Sequence, residues 1–550
     1  MPLRKLFRKF YLEYHQRHAC LSTVDSTTST TDKAPTGGPV PQEGGHQGSP
    51  YRTVDDLPGP RRFPFIGTLL SWFIKREELH LLSVEKHSKY GKMYCEKLLD
   101  MTQVAVSDPK LFEEILRNEP KFPTRPCYPS WPRYRELRGY NRGLLTAEGD
   151  DWFRFRKAVG KRLLKPQLAA SFDVVINEVV DDMIKHMRHM REKAGKDGVI
   201  MQLPFEMYKW SIESVSKVLF EKRLGCLQTE IPAMTQKFID NVNTMLVTSE
   251  RLFVLMELQE KYQTKWWRDH IRAWDGMFDV VRHLVDTRVA EIADKLENTT
   301  PDADEGMDFL TYLMATRSMD IKEIHSTMVD LMIGGVDTAS NTICFACHLL
   351  ANHPEEQRKL VQEVDSVLKG RVATAEDIPN LPVLKKVVKE TFRLYPVVPI
   401  NARMVTEEFV LEGYLIPKDS LLALGFYNVQ RSDEYFERAN DFIPDRWDRE
   451  TAHDHHAFSV LPFGYGVRSC VGRRVALLEL HLALIRIIQN FRLEPYDGFP
   501  LVPTCRGVLS PGQEVPVRFI DRGLGVTDLK DNHVTTQKAK QPMNLTAAAQ

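Results

Sequence analysis

Between residues 80 and 400 the apolar positions fall mostly at helical spacing. Leu360, Val361, Val364, Val367 and Leu368 lie on one face of a helix that Pro354 opens at its first turn. A longer pattern runs from Ile321 to about Asn352, and Gly334-Gly335-Val336-Asp337-Thr338-Ala339-Ser340 interrupts it. Further on, Val475-Ala476-Leu477-Leu478 begins an apolar stretch that continues to Ile488, the mark of a buried helix. Period-two pieces are few and short: Gln103-Val104-Ala105-Val106 and Phe409-Val410-Leu411 predict a minor sheet. The pattern therefore predicts a mainly α fold with a minor β portion. No internal repeat interrupts it, and no run of eighteen apolar residues near the start predicts a spanning helix.

Composition divides the chain of 550 residues into three parts. Residues 1–50 begin with Arg4, Lys5, Arg8, Lys9 and Arg17 against Glu13 alone, interleaved with Leu3, Leu6, Phe7, Phe10 and Tyr11, and pass into Ser/Thr-rich sequence. That is the make-up of a mitochondrial transit peptide followed by a Gly/Pro-rich linker, or of a basic disordered tail. Leu57-Pro58-Gly59-Pro60 stiffens the entry to a body over 51–522, and 523–550 is a polar tail. With 74 basic and 74 acidic residues the net charge is zero, which argues against a nucleic-acid binder relying on a strongly basic surface. Eight scattered cysteines argue against a disulfide-stapled secreted domain.

Candidate chemistry concentrates at Phe463-Gly464-Tyr465-Gly466-Val467-Arg468-Ser469-Cys470-Val471-Gly472. The glycines allow a tight turn whose backbone can approach a flat cofactor. Cys470 falls near the start of the apolar helix, where free amide donors and the helix dipole favour the thiolate, the form that binds metal. Arg468 has the planar donor fork suited to a carboxylate. As it stands, F-G-x-G-x-R-x-C-x-G resembles the haem-binding signature of the cytochromes P450. That resemblance implies the cytochrome P450 fold and haem b, with Cys470 as axial thiolate ligand of the iron.

Other segments resemble the same family in the same order along the chain. The interrupted long helix is similar to the family's oxygen-binding helix, which would make Asp337 and Thr338 the acid and alcohol that deliver protons. Ala339 departs from the second Thr or Ser often found there. Glu390-Thr391-Phe392-Arg393 resembles E-x-x-R and Phe442-Ile443-Pro444-Asp445-Arg446-Trp447 resembles F-x-P-x-R-W, so Glu390, Arg393 and Arg446 would lock the core behind the haem. Trp152, Arg156 and Arg403 look like further propionate partners, and Phe463 belongs to the haem loop.

Lys385 and Lys389, four apart on one helix, and Arg473 with Arg474 resemble the ferredoxin-docking residues of the mitochondrial class. Leu477 departs from the Glu often present there. The resemblance implies a steroid- or sterol-hydroxylating monooxygenase using O2 and an adrenodoxin-like ferredoxin fed by a ferredoxin reductase. It would sit peripherally on the matrix face of the mitochondrial inner membrane, with Leu252-Phe253-Val254-Leu255-Met256 either dipping into lipid or packed in the core. A P450-fold isomerase or dehydratase of lipid peroxides, a haem-dependent sensor or lipid-binding protein, and a microsomal enzyme fed by a flavoprotein stand as alternatives. Cys344 with Cys347, and His453 with His455 and His456, lack the partners a metal site needs; the histidines are expected to be solvated.

Overall fold

The structure, a computed structural model, describes residues 50–523 apart from 65, 196–197, 299–307, 449, 451–454, 497 and 513. The basic leader and linker up to residue 49, and the polar tail beyond 523, lie outside the described residues. The helices that build the site are α1 (Leu69–Ile74), α2 (Gly149–Leu163), α3 (Leu203–Phe220), α4 (Ala233–Leu252), α5 (Lys265–Asn298), α6 (Ile321–Asn352), α7 (Pro354–Leu368), α8 (Pro382–Leu394) and α9 (Arg473–Asn490). Helix dominates and the strands are short, as the apolar pattern predicts.

Helix α6 starts where its sequence says it should. Asp320 accepts from the Glu323 amide at 2.8 Å while the Glu323 carboxylate accepts from the Asp320 amide at 2.9 Å, a reciprocal cap. It then crosses the core, packed on α3, α5, α8 and α9. The expected interruption at 334–340 is not a break: α6 is helical throughout. Two glycines weaken a helix by about 1 kcal/mol each, and burial among four neighbouring helices outweighs that. In α7, Leu360, Val364 and Leu368 are buried and Val361 and Val367 pack against the core edge.

The principal sheet has four strands: β1 (Met93–Leu98), β2 (Met101–Val106), β3 (Asn401–Met404) and β4 (Leu421–Leu424), in the order β1-β2-β4-β3. β2 runs parallel to β4, and the other two pairings are antiparallel. The strand expected at 103–106 lies within β2, and Phe409–Leu411 pairs antiparallel with Tyr414–Ile416. β3 matters to the site because its register, Arg403 opposite Leu422, fixes Arg403.

Behind the site, α8 turns Leu384, Val387, Val388 and Phe392 into the core and leaves Lys385 and Lys389 outside. Its last turn carries Glu390 and Arg393, both fully buried. Glu390 accepts two hydrogen bonds from Arg393 (2.9 and 2.7 Å), one from Arg446 (3.0 Å), one from the Trp447 indole (2.9 Å) and one from the Ile443 amide (3.1 Å). Arg393 spends its remaining donors on the carbonyls of Gln430, Ala439 and Asp441, at 2.6–2.9 Å. The i, i+3 pair that means little on a surface becomes a satisfied internal hub.

Replacing Glu390 by Ala leaves Arg393 buried without its counter-charge. A loss of about 3–5 kcal/mol is expected in urea unfolding, and an unchanged midpoint would contradict the hub.

Candidate active site around Cys470

The loop before α9 is shaped by its backbone. Gly464 and Gly466 take positive φ, +67° and +71°, conformations that side chains other than glycine rarely adopt. The turn closes by hydrogen bonds from the Cys470 amide to the Phe463 carbonyl (2.8 Å) and from the Ser469 amide to Gly466 (3.1 Å). The Phe463 ring packs edge-on against Phe392 of α8, centroids 5.4 Å apart. Helix α9 begins at Arg473, with Gly472 as its cap, so Cys470 precedes the helix by three residues.

The Cys470 thiol keeps accessible surface yet is densely surrounded and strongly desolvated. A group that is both faces an enclosed cleft rather than bulk water. Desolvation raises its pKa and outweighs the Gly472 amide, Arg156 and Arg125, which pull it down. The expectation that the helix start alone favours the thiolate is therefore corrected: in the protein by itself burial wins, and a directly bonded cation is what deprotonates such a sulfur outright.

Around this cleft guanidinium groups converge. Arg468 is buried, lies 3.6 Å over the Trp152 ring, and donates to the Pro123 carbonyl (2.7 Å) and the Glu148 carboxylate (2.6 Å). Its Nη1 is buried with no hydrogen-bond partner among the described residues. Desolvation, with Arg125, Arg403 and Arg156 nearby, lowers its pKa to about 10 against the support of Glu148. Arg156, on α2 one turn from Trp152, is likewise pulled down to about 10 by burial. Arg403 donates to Glu119 (2.5 Å) and to Asn401 (2.8 Å).

Arg125 belongs to this cluster and the sequence reading missed it. Desolvation and Arg403 depress its pKa, while Glu148 and Cys470 support its charge. Its only local signal is the setting Pro123-Thr124-Arg125-Pro126, in which two prolines hold the chain out of a helix. Four arginines thus face two carboxylates, Glu119 and Glu148, both of which burial pushes toward neutrality. The excess positive charge calls for an anion.

Helix α6 carries Asp337 and Thr338. Thr338 Oγ1 donates to the Gly334 carbonyl at 2.9 Å. Burial alone raises the Asp337 carboxyl to about 7. Tyr208 of α3 feels the Asp337 charge, and its hydroxyl is buried without a hydrogen-bond partner among the described residues. Lys385 and Lys389 share an exposed face of α8, though Lys389 stacks 3.9 Å over Trp447. Arg473 is exposed near Cys470, and Arg474 is half-buried.

The other candidate ligands do not assemble. No group of His, Cys, Asp and Glu able to hold a metal ion occurs among the described residues. Cys344 and Cys347 are buried in α6, and burial raises both thiols. His453 lies outside the described residues; His455 packs on Phe436 at 4.6 Å and on Trp447, and His456 approaches Glu113 at 3.3 Å. His455 is thus a packing residue and not the solvated one expected.

A family model described as Cytochrome P450 matches residues 57–515. The chain belongs to the cytochrome P450 family. Cytochrome P450 27C1 of Danio rerio is 34% identical over 530 residues, covering 94% of this chain and 97% of the relative. The mitochondrial sterol 26-hydroxylase of Mus musculus is 35% identical over 480 residues, 86% of this chain and 89% of the relative. The mitochondrial 1,25-dihydroxyvitamin D(3) 24-hydroxylase of Rattus norvegicus is 35% identical over 475 residues, 86% and 90% of the two chains.

This P450 is a monooxygenase whose family cofactor is haem held by a cysteine thiolate. The residues present fit that group. Cys470 stands in a glycine-shaped turn, and four arginines outnumber two carboxylates by the two charges that two propionates carry. Arg468 offers an unpartnered buried donor among them.

Asp337 supplies a pH test. Its folded carboxyl titrates near 7 against an ordinary 3.8, so the folded P450 binds this proton more tightly than the unfolded chain does. Its contribution therefore costs stability increasingly as pH rises from about 4 through 7. Asp337→Asn should stabilise the P450 more at about pH 8 than at about pH 5 in thermal unfolding; an equal effect at both would contradict the assigned burial.

Proposed function

We propose that this P450 is a mitochondrial, ferredoxin-fed hydroxylase of a sterol- or secosteroid-like lipophile, with Cys470 as the axial ligand of its haem. The observation that carries the reading is the Cys470 turn with Arg125, Arg156 and Arg468 gathered near it; the Asp337–Thr338 segment of α6 is proposed to face it. The mitochondrial sterol and vitamin D hydroxylases among its relatives support the compartment and the substrate class.

Arg125, Arg156, Arg468 and Trp152 would hold the haem propionates, and Arg403 keeps Glu119 paired at the edge of the same cluster. When bound, the haem supplies dioxygen activation: one oxygen atom enters a substrate C–H bond and the other leaves as water, with two electrons and two protons consumed. The protein's own residues supply those protons. A carboxyl titrating near 7, as at Asp337, can both release and regain a proton at neutral pH. Thr338, donating its own proton to Gly334, keeps its oxygen lone pairs free to accept.

Electrons would arrive at the opposite face. Lys385 projects from α8 and Arg473 from the start of α9, a basic patch on a chain of zero net charge and so suited to steering an acidic carrier. No helix among the described residues is long and apolar enough to cross a membrane. The segment 252–256 divides: Leu252 and Met256 are buried against Trp267, while Phe253 and Leu255 are exposed. With exposed Tyr262 and Trp266, and with Leu70, Phe73 and Ile74 of α1, they form the surface proposed to rest on the matrix face of the inner membrane. An apolar substrate could then enter from lipid.

Reconstitution tests the donor and the substrate class together. Turnover of sterols or secosteroids with an acidic iron-sulfur ferredoxin and its reductase, and none with a flavoprotein reductase, is expected; the reverse would remove the mitochondrial reading. Lys385→Gln should raise KM for ferredoxin by about tenfold at low salt and leave the haem spectrum unchanged. Thr338→Ala should keep reductant consumption but divert its electrons to hydrogen peroxide. Undiminished coupling of electrons to product would contradict the role given to Thr338.

A further inference from the structure

The two central glycines of α6 meet different surroundings. A Cβ on Gly334 would find nothing within 4 Å, whereas one on Gly335 would sit 3.0 Å from Val215 Cγ2 of α3. Glycine at 335 therefore lets α3 approach closely, and the approach brings in Ser211. This serine is fully buried and places its hydroxyl 3.0 Å from the Val336 carbonyl and 3.5 Å from that of Gly335.

The neighbouring carbonyls of α6 also carry hydroxyl donors, all from within the helix. Thr338 donates to Gly334 (2.9 Å), Ser340 to Asp337 (3.2 Å) and Thr342 to Thr338 (2.8 Å). Five consecutive carbonyls, 334 to 338, thus face a side-chain hydroxyl as well as their helical amide partner. Back-bonding of this kind reaches three or four residues back along the chain, so a hydroxyl at 339 would serve Val336 or Gly335, the two carbonyls that Ser211 meets. Position 339 is Ala and has no hydroxyl to give. Ser211 stands in the gap from the adjacent helix.

We propose that Ser211 is a positioning residue for the Asp337–Thr338 pair: it supplies, from α3, the hydroxyl that Ala339 lacks. A carbonyl shared with a second donor holds its helical amide less tightly, and such insertions loosen and bend helices. Ser211 therefore keeps α6 soft at Gly335 and Val336 while the helix stays continuous, leaving Asp337 and Thr338 freedom to reorient. The proposal rests on the reading of that pair as the proton-handling residues.

The test is amide hydrogen exchange in the full-length holoenzyme, read in overlapping peptides across 335–342. In Ser211→Ala the competing donor is gone, so the amides of Ala339 and Ser340, helical partners of Gly335 and Val336, should exchange about threefold more slowly or slower still. Adding Ala339→Ser should return them toward the parent rate. A serine that merely packs the interface would give the opposite sign, since its removal loosens the contact; unchanged or faster exchange overturns the proposal. If Ser211→Ala does not fold, Ser211→Cys, close in volume and a weak donor, must show the same slowing.

In the reconstituted enzyme, Ser211→Ala should raise the share of reductant electrons released as hydrogen peroxide by about twofold or more, as a misplaced proton-handling pair would, and Ala339→Ser should lower it again. Slowed exchange with an unaltered peroxide share would overturn the positioning role. Thr338→Ala run in parallel separates the causes: if it too leaves the peroxide share unaltered, the reading of the pair has failed and the proposal falls with it; if only Ser211→Ala does, the proposal alone has failed.

Discussion

One carboxylate, Glu390, accepts five hydrogen bonds from four residues, and the position of the Cys470 loop follows from that. Glu390 and Arg393 lie in the last turn of α8, while Arg446, Trp447 and the carbonyls of Gln430, Ala439 and Asp441 come from the connection that leads into the loop. Buried charges of this kind persist only when every donor and acceptor is matched. The matching fixes a stretch of backbone whose regular pieces are the short helix Phe426–Gln430 and the single 3-10 turn Pro444–Trp447. Phe392, one residue before Arg393, then carries the order onward by packing on Phe463.

The cleft in front of Cys470 follows the opposite electrostatic logic. Arg125, Arg156, Arg403 and Arg468 converge with too few carboxylates, and burial lowers the pKa of Arg125, Arg156 and Arg468. A protein tolerates such an excess where an anionic ligand completes it. The hub is satisfied by the chain alone and is structural; the arginine cluster outnumbers the carboxylates beside it, and the proposed haem propionates would complete it. Helix α6, continuous throughout, combines glycine, hydroxyl and carboxyl groups over 334–342.

Much of this was legible in the sequence because the signals are local. The glycine-spaced turn before Cys470, the Pro354 helix start and the Glu390–Arg393 spacing each depend on residues a few positions apart. What was not legible depends on contacts between distant segments. Arg125 joins the cluster because the Pro123 loop docks on Arg468, 345 positions away. Ser211 reads as one polar residue in a buried helix until α3 is laid against Gly335. The long helix was expected to be interrupted, and tertiary packing kept it whole. The apolar segment 252–256 could be read as core or as membrane surface, and it is divided residue by residue, with Leu255 at φ +58° marking the turn.

The most direct test of the central claim is the absorption spectrum of the reduced protein with carbon monoxide, recorded for the parent and for Cys470→Ser. Ligation by Cys470 predicts the red-shifted Soret band of a thiolate-bound haem in the parent and its loss in the variant. A parent that binds haem without that band, or a variant that keeps it, would contradict Cys470 as the ligand and the mechanism built on it.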